Sequence, residues 1–192
     1  MSVICVVVHN TGVLLMGDTK LTGMKNRPTI QKVFKNGSIL LGYTGNTMHI
    51  ADYMFPYFDY KMDLKYYSIF DDVNCILADL EERYNAAKRE RKYYDASITV
   101  ACKIGNKYFS KRYILSDLTD TGFSPTVTIN SSNEFQYLFS GNELHQLCFE
   151  DICQEKQPSC LLDFVPIFQE TLNCGIFYDQ TINNIMTYEV IM

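Results

Sequence analysis

Residues 2–18 read SVICVVVHNTGVLLMGD. Two apolar runs, VICVVV and VLLM, flank Asn10-Thr11-Gly12, a short polar turn containing a glycine. The pattern predicts a β-hairpin that ends at Gly17-Asp18. A small residue at position 2 lets Met1 be clipped. Clipping would leave a serine whose hydroxyl and free amine sit on one residue.

A second hairpin signal follows closely. KVFK and SILLGY flank Asn36-Gly37, a strong two-residue turn signature. A helical block comes next. Ser68 and Asp71 have capping-box spacing, and Val73, Ile76, Leu77, Leu80 and Tyr84 recur at helical intervals. The basic run Lys88 to Lys92 reads as solvated cations at a helix C-terminus. Strands return in ASITVAC and KYFS, around Gly105-Asn106. The turn-rich DLTDTGFSPT leads to another strand, FQYLF. Leu144, Leu147, Cys148 and Ile152 mark one further helix. Leu161, Phe164, Val165, Phe168 and Leu172 mark the next, with Pro166 expected to kink it. A final hairpin is expected from GIFYD and IMTYEVI, turning at Asn183-Asn184. The aromatic cluster YMFPYFDY reads as core or subunit contact.

The order is strands, helices, strands, helices, strands. Because the blocks do not alternate regularly, a parallel βαβ sheet is not expected. Two antiparallel sheets stacked face to face, with helices on both outer faces, would bury the apolar stripes. This is an α+β architecture, a four-layer αββα sandwich. A length of 192 residues fits one domain spanning 1–192, with room for a sizeable core.

Bulk properties exclude several function classes. A net charge of −5 argues against nucleic-acid binding, which wants a basic face. No apolar stretch reaches the ~20 residues that span a bilayer, and no basic segment precedes the first apolar run as in a signal peptide. The seven cysteines are odd in number and scattered, without C-x-x-C. They read as reduced thiols of a cytoplasmic protein. His9, His49 and His145 are isolated, without metal-ligand spacing. No cofactor or metal is expected, and no P-loop, dinucleotide fingerprint or G-x-S-x-G occurs.

The remaining candidate for chemistry is the amino terminus. A serine hydroxyl needs a base to take its proton. A free α-amine, with a pKa of roughly 8, is near enough to neutrality to serve. Such a site also needs a cation beside the amine, a carboxylate to hold the cation, and a backbone N–H for the oxyanion. Asp18, Lys32 and Gly42, at the ends of expected strands, are the candidates. Each also has an ordinary reading: a strand-end turn, an edge-strand lysine and a turn glycine. Ser140 reads equally well as a helix N-cap.

The segments SVICVVVHNTGVLLMGDT and QKVFKNGSILLGYTGN resemble the catalytic β-subunits of proteasomes. They are most similar to the bacterial HslV type of this N-terminal-nucleophile hydrolase family. The shared pattern is a nucleophile, a strand, a turn, and a second strand ending in Gly-Asp. Lys-Val and a hairpin ending in Gly-x-x-Gly follow. FSGN, residues 139–142, resembles the family's Ser-Gly at a helix start, and DASITVACKIGNKYF resembles a strand pair of the family. The resemblance implies the αββα fold and peptide-bond hydrolysis by an N-terminal residue. By position, Ser2 would be the nucleophile and its amine the base. Lys32 would lower the amine's pKa and Asp18 would hold Lys32. Gly42 would line the oxyanion hole, while Ser140 and Gly141 would orient the amine. Ile30, Leu40, Thr44 and Met48 would line an apolar specificity pocket. The resemblance further implies a homo-oligomeric ring acting on peptides or unfolded proteins, fed by an ATP-dependent unfoldase. Maturation would need only the loss of Met1, and Lys32→Ala would abolish turnover with the fold intact.

The chain departs from the family pattern in three ways. The nucleophile position holds serine instead of threonine. The family's second acidic residue has no clear match in QETLNCGIF, where Glu170 is the nearest carboxylate. Pro56 and Pro166 fall within expected helices. Two other functions fit the same fold: a non-catalytic ring or assembly subunit, and a small-molecule amidase of the wider N-terminal-nucleophile class.

Overall fold

In a computed structural model of the chain, the structure describes residues 3–20, 29, 31–45, 73–89, 96–114 and 127–192. The first hairpin forms from β1 (Ile4–His9) and β2 (Gly12–Asp18), with Ile4 opposite Gly17 and His9 opposite Gly12. The second forms from β3 (Val33–Asn36) and β4 (Ile39–Gly45). Helix α1 (Val73–Arg89) precedes the pair β5 (Ala96–Ile104) and β6 (Lys107–Ile114). Then come β7 (Val127–Asn130), β8 (Gln136–Ser140), α2 (Glu143–Lys156), α3 (Phe164–Gly175) and β9 (Met186–Ile191). The strands pair antiparallel in two sheets, ordered β8-β1-β2-β9 and β3-β4-β5-β6-β7.

Side-chain alternation along β1 and β2 explains the layering. Val3, Cys5, Val7, Leu14 and Met16 point to one side, where they pack with Phe149, Ile152, Phe164 and Phe168 of α2 and α3. Ile4, Val6, Val8, Val13 and Leu15 point to the other side, against Val33, Leu40 and Ala101 of the second sheet. Both faces of the hairpin are therefore covered. An antiparallel pair so covered reads as an unbroken apolar run, the pattern usual for buried parallel strands. On the far side of the second sheet, Tyr84 of α1 meets Tyr113 of β6, their ring centroids 5.7 Å apart. Glu81 of α1 pairs there with Lys111 of β6. The result is the expected αββα sandwich.

Several local expectations are corrected. The second hairpin turns at Gly37-Ser38, because Asn36 pairs with Ile39. Gly37 has a φ of 56°, and Gly105 opens the β5–β6 turn at 58°. A glycine with positive φ in the first loop position matches strand twist in a two-residue hairpin. Strand β7, unmarked in the sequence reading, adds an edge to the second sheet. Pro166 does not kink a helix. It lies in the first turn of α3, where its missing N–H has no helical acceptor to lose. Leu161 belongs to a separate 3₁₀ turn. The final hairpin does not form. Residues of GIFYD close the end of α3, with the Tyr178 and Asp179 N–H groups donating to Gly175 O. The last strand pairs instead with β2, Asp18 opposite Met186. On α2 the buried residues are His145, Phe149 and Ile152, while Leu144 and Leu147 face outward. The apolar face is rotated from the one expected. Pro56, YMFPYFDY, the Ser68–Asp71 cap and DLTDTGFSPT lie outside the described residues.

Burial of two thiols sets an alkaline limit on stability. Burial pushes Cys5 well above its ordinary 9.0 and lifts Cys102 to about 12. Above about pH 9 the unfolded chain releases both protons while the native state keeps them, so stability falls as pH rises. Each thiol contributes about 1.4 kcal/mol per pH unit across its window. Urea unfolding is expected to show a lower stability at about pH 10 than at about pH 8, with Cys5→Ala flattening the slope.

Candidate active site

One end of the sandwich gathers the ends of six strands. Ile4 of β1 is flanked by Gly17 of β2 and Ser140 of β8. In the second sheet, Gly42 of β4 pairs with Val33, and Thr44 pairs with Ser97 at the start of β5. Gly17 lets the two sheets close here. A Cβ at this position would lie 2.6 Å from Ile4 Cδ1 and 2.9 Å from Val33 Cγ2, so a side chain here would force those two to shift. The Gly-Asp step thus combines a close approach with a carboxylate at its edge.

Asp18 is fully buried and is held from several directions. Lys32 Nζ donates to Asp18 Oδ1 at 2.9 Å and to Oδ2 at 3.0 Å. The Val3 N–H donates to Oδ1 at 2.9 Å, and the Lys20 N–H to Oδ2 at 2.9 Å. In return the Asp18 N–H donates to Val3 O at 3.1 Å. Lys32 is only 2% exposed. Burial pushes its pKa down, while the charge and hydrogen bonds of Asp18 pull it back up. The carboxylate that holds this cation therefore also holds the Val3 N–H.

The other expected residues divide. Ser2, Ile30 and Met48 lie outside the described residues. Leu40 has no exposure and packs between the sheets, so it belongs to the core. Gly42 lies mid-strand, where a Cβ would meet Leu15 Cδ2 at 3.1 Å. The Tyr43 N–H donates to Lys32 O, so alternation directs the Gly42 N–H towards β5, opposite Thr99. By the same alternation the Gly45 N–H points to the β3 side, beyond the first residue of that strand. Gly141 follows β8, where a Cβ would lie 3.3 Å from both Val3 Cγ2 and Phe139 Cε1. The Ser140 hydroxyl lies 3.2 Å from those of Thr44 and Ser97, which are 2.8 Å from each other.

A buried histidine and a half-buried carboxylate nearby escape sequence reasoning. His145 has no exposure, and its ring nitrogens have no hydrogen-bond partner among the described residues. Its Nε2 lies 3.9 Å from Asp179 Oδ2. Burial lowers its pKa, and Asp179 and Asp18 oppose that shift. On balance burial favours the neutral ring. Burial pushes Asp179 up, but the hydroxyl and N–H of Thr181 outweigh this and hold its carboxyl below the usual range. Asp179 is out of sequence view because the chain leaves α3 in tight turns instead of a strand. Among the described residues, no group of histidine, cysteine and acidic side chains is arranged to hold a metal. No described helix is long and apolar enough to cross a membrane.

No protein-family model matches the chain, and no curated protein matches it in sequence. Solved structures do match in shape. The crystal structure of eukaryotic HslV from Trypanosoma brucei aligns with a TM-score of 0.59 at 15% identity, covering 98% of each chain. Anbu (ancestral beta-subunit) from Yersinia bercovieri aligns with a TM-score of 0.65 at 10% identity, covering 98% of this chain and 80% of that one. At such identities the likeness concerns architecture: the chain has the proteasome-like fold.

Proposed function

We propose that the chain is a proteasome-like endopeptidase subunit whose nucleophile is Ser2, exposed by loss of Met1. The observation that carries this reading is the buried Asp18–Lys32 pair bonded to the Val3 N–H, one peptide from Ser2. Burying two charges is costly and adds little net stability compared with apolar packing. A pair kept at that cost against the Val3 N–H fits an electrostatic role. The Lys32 cation disfavours protonation of a nearby amine, so the amine stays free to act as base.

In the proposed reaction, Ser2 Oγ attacks the substrate carbonyl and its proton passes to the Ser2 amine. The amine then gives that proton to the departing peptide nitrogen as the C–N bond breaks, leaving an ester on Ser2. Water attacks the ester, the amine takes and returns its proton, and the acid product leaves. The ladder commits the Gly42 N–H, so the oxyanion donor in this scheme is the Gly45 N–H. Removing such a donor typically costs ~10²–10³ in rate. An apolar specificity pocket would rest on Ile30 and Met48, since Leu40 is core and Thr44 is turned to hydroxyl partners. A homo-oligomeric ring fed by an ATP-dependent unfoldase, acting on unfolded protein in the cytoplasm, completes the proposal.

The test is intact mass before and after incubation with a peptide β-lactone carrying an apolar side chain. The expected result is a chain lacking Met1 that gains one acyl adduct, mapped to Ser2 and absent from Ser2→Ala. Retention of Met1, or a wild-type chain that takes no adduct, would overturn the reading and favour a non-catalytic subunit of the same fold. A monomer or dimer by native mass would instead favour a small-molecule amidase.

A further inference from the structure

Thr44, Ser97 and Ser140 close a triangle of hydroxyls, with edges of 2.8, 3.2 and 3.2 Å. Thr44 and Ser97 are cross-strand partners in β4 and β5, each 8% exposed. Ser140 ends β8, an edge strand of the opposite sheet. The triangle therefore ties the last residue of β8 across the sandwich to the middle of the second sheet.

Counting protons gives the triangle a polarity. A hydroxyl carries one proton and two acceptor lone pairs. In a closed triangle each hydroxyl donates once and accepts once. All three protons are then used internally, and each oxygen keeps one lone pair. Ser140 consequently presents only an acceptor to anything else beside it. If either partner is removed, the Ser140 proton is freed and its outward polarity becomes undefined.

We propose that Ser97 and Thr44 are positioning residues that lock Ser140 as a hydrogen-bond acceptor for the Ser2 amine. This rests on the reading of Ser2 as nucleophile. The direction of the bond matters to a base. A donating Ser140 would occupy the amine lone pair that must take the Ser2 hydroxyl proton. An accepting Ser140 takes an amine N–H and leaves that lone pair free. The two residues thus act through Ser140 and do not touch substrate.

The test compares wild type, Ser97→Ala, Thr44→Val and Thr44→Ser in the rate of peptide β-lactone addition to Ser2 at increasing reagent concentration. Thr44→Val keeps the side-chain shape without the hydroxyl, and Thr44→Ser keeps the hydroxyl. Ser97→Ala and Thr44→Val are expected to lower the maximal rate about tenfold, the equivalent of one hydrogen-bond-sized term, with the half-saturating concentration unchanged. Thr44→Ser is expected to react like wild type. Circular dichroism on each variant checks that it is folded. A wild-type rate in Ser97→Ala, or equal losses in Thr44→Ser and Thr44→Val, would overturn the positioning role alone. So would a Thr44→Val effect confined to the half-saturating concentration, which would make Thr44 a pocket wall. A wild-type protein that takes no adduct would overturn the parent reading and this role with it.

Discussion

Lys32→Met is expected to cost about 3–5 kcal/mol of folding stability and to abolish acylation of Ser2. Read from sequence, Lys32 is the candidate cation beside the amine, with an edge-strand lysine as the ordinary alternative, and its removal should abolish turnover and leave the fold intact. The structure reverses the second half of that expectation. Lys32 is 2% exposed and faces a carboxylate with no exposure at all. Removing the ammonium strands a buried negative charge, and that is the expensive half of a broken ion pair. The Val3 and Lys20 N–H groups still donate to Asp18 and soften the loss.

A companion variant separates stability from chemistry. Lys32→Met combined with Asp18→Asn removes the stranded charge and keeps an oxygen for the Val3 N–H. Most of the stability is expected to return, while acylation stays absent because the cation is gone. Urea unfolding followed by circular dichroism measures the first effect, and the lactone adduct measures the second. A Lys32→Met chain that labels at the wild-type rate would sink the proposed mechanism. A single variant as stable as wild type would show that the pair is solvated after all.

Phe149→Ala is the second large effect, at about 3–5 kcal/mol. Phe149 has no exposure and packs against three aromatic rings. Its ring centroid lies 5.4 Å from Tyr137, 5.5 Å from Phe139 and 6.2 Å from Phe164, and its helix also buries His145 and Ile152. Truncation leaves a cavity between α2 and the first sheet that β8, pinned at Ser140, cannot easily fill. Leu144→Ala, on the same helix, is expected to change stability by no more than about 0.5 kcal/mol. Leu144 is 57% exposed. Urea midpoints for the two variants decide the matter. A comparable loss from Leu144→Ala would mean that its outward face is covered in solution.

The contrast shows why the helix face was misread. Leu144, Leu147, Cys148 and Ile152 have helical spacing and are all apolar, so periodicity alone selects them. The buried stripe instead runs through His145, Phe149 and Ile152. A histidine in a core stripe defeats a pattern built on apolarity. Periodicity does find α3, where Phe164, Phe168 and Leu172 are buried as expected. There the residues facing the sheet are the apolar ones, and Pro166 falls harmlessly in the first turn.

The site divides along the same line. Asp18 and Lys32 were legible as candidates because each falls at an expected strand end, and their pairing followed from the family resemblance; hairpin register by itself sets only Asp18 beside Val3. Ser97 was not legible. It is one small polar residue opening a strand, and its meaning comes from Ser140, which lies 43 positions away in sequence. Leu40 and Gly42 were assigned to a site by their place in a motif, and burial assigns them to the sheet interior.

By itself the sequence determined most of the strands, the first two antiparallel hairpins and the four-layer order, and it placed Asp18 and Lys32 at expected strand ends. These follow from turn chemistry, apolar runs and contacts close along the chain. Only the tertiary structure decided which helix face is buried, where the chain goes after α3, and which hydroxyls meet Ser140. It also decided that the ion pair is sealed from water. The physical reason is common to all four. Each depends on which of two chemically acceptable surfaces a distant segment covers, and composition along one segment cannot choose between them.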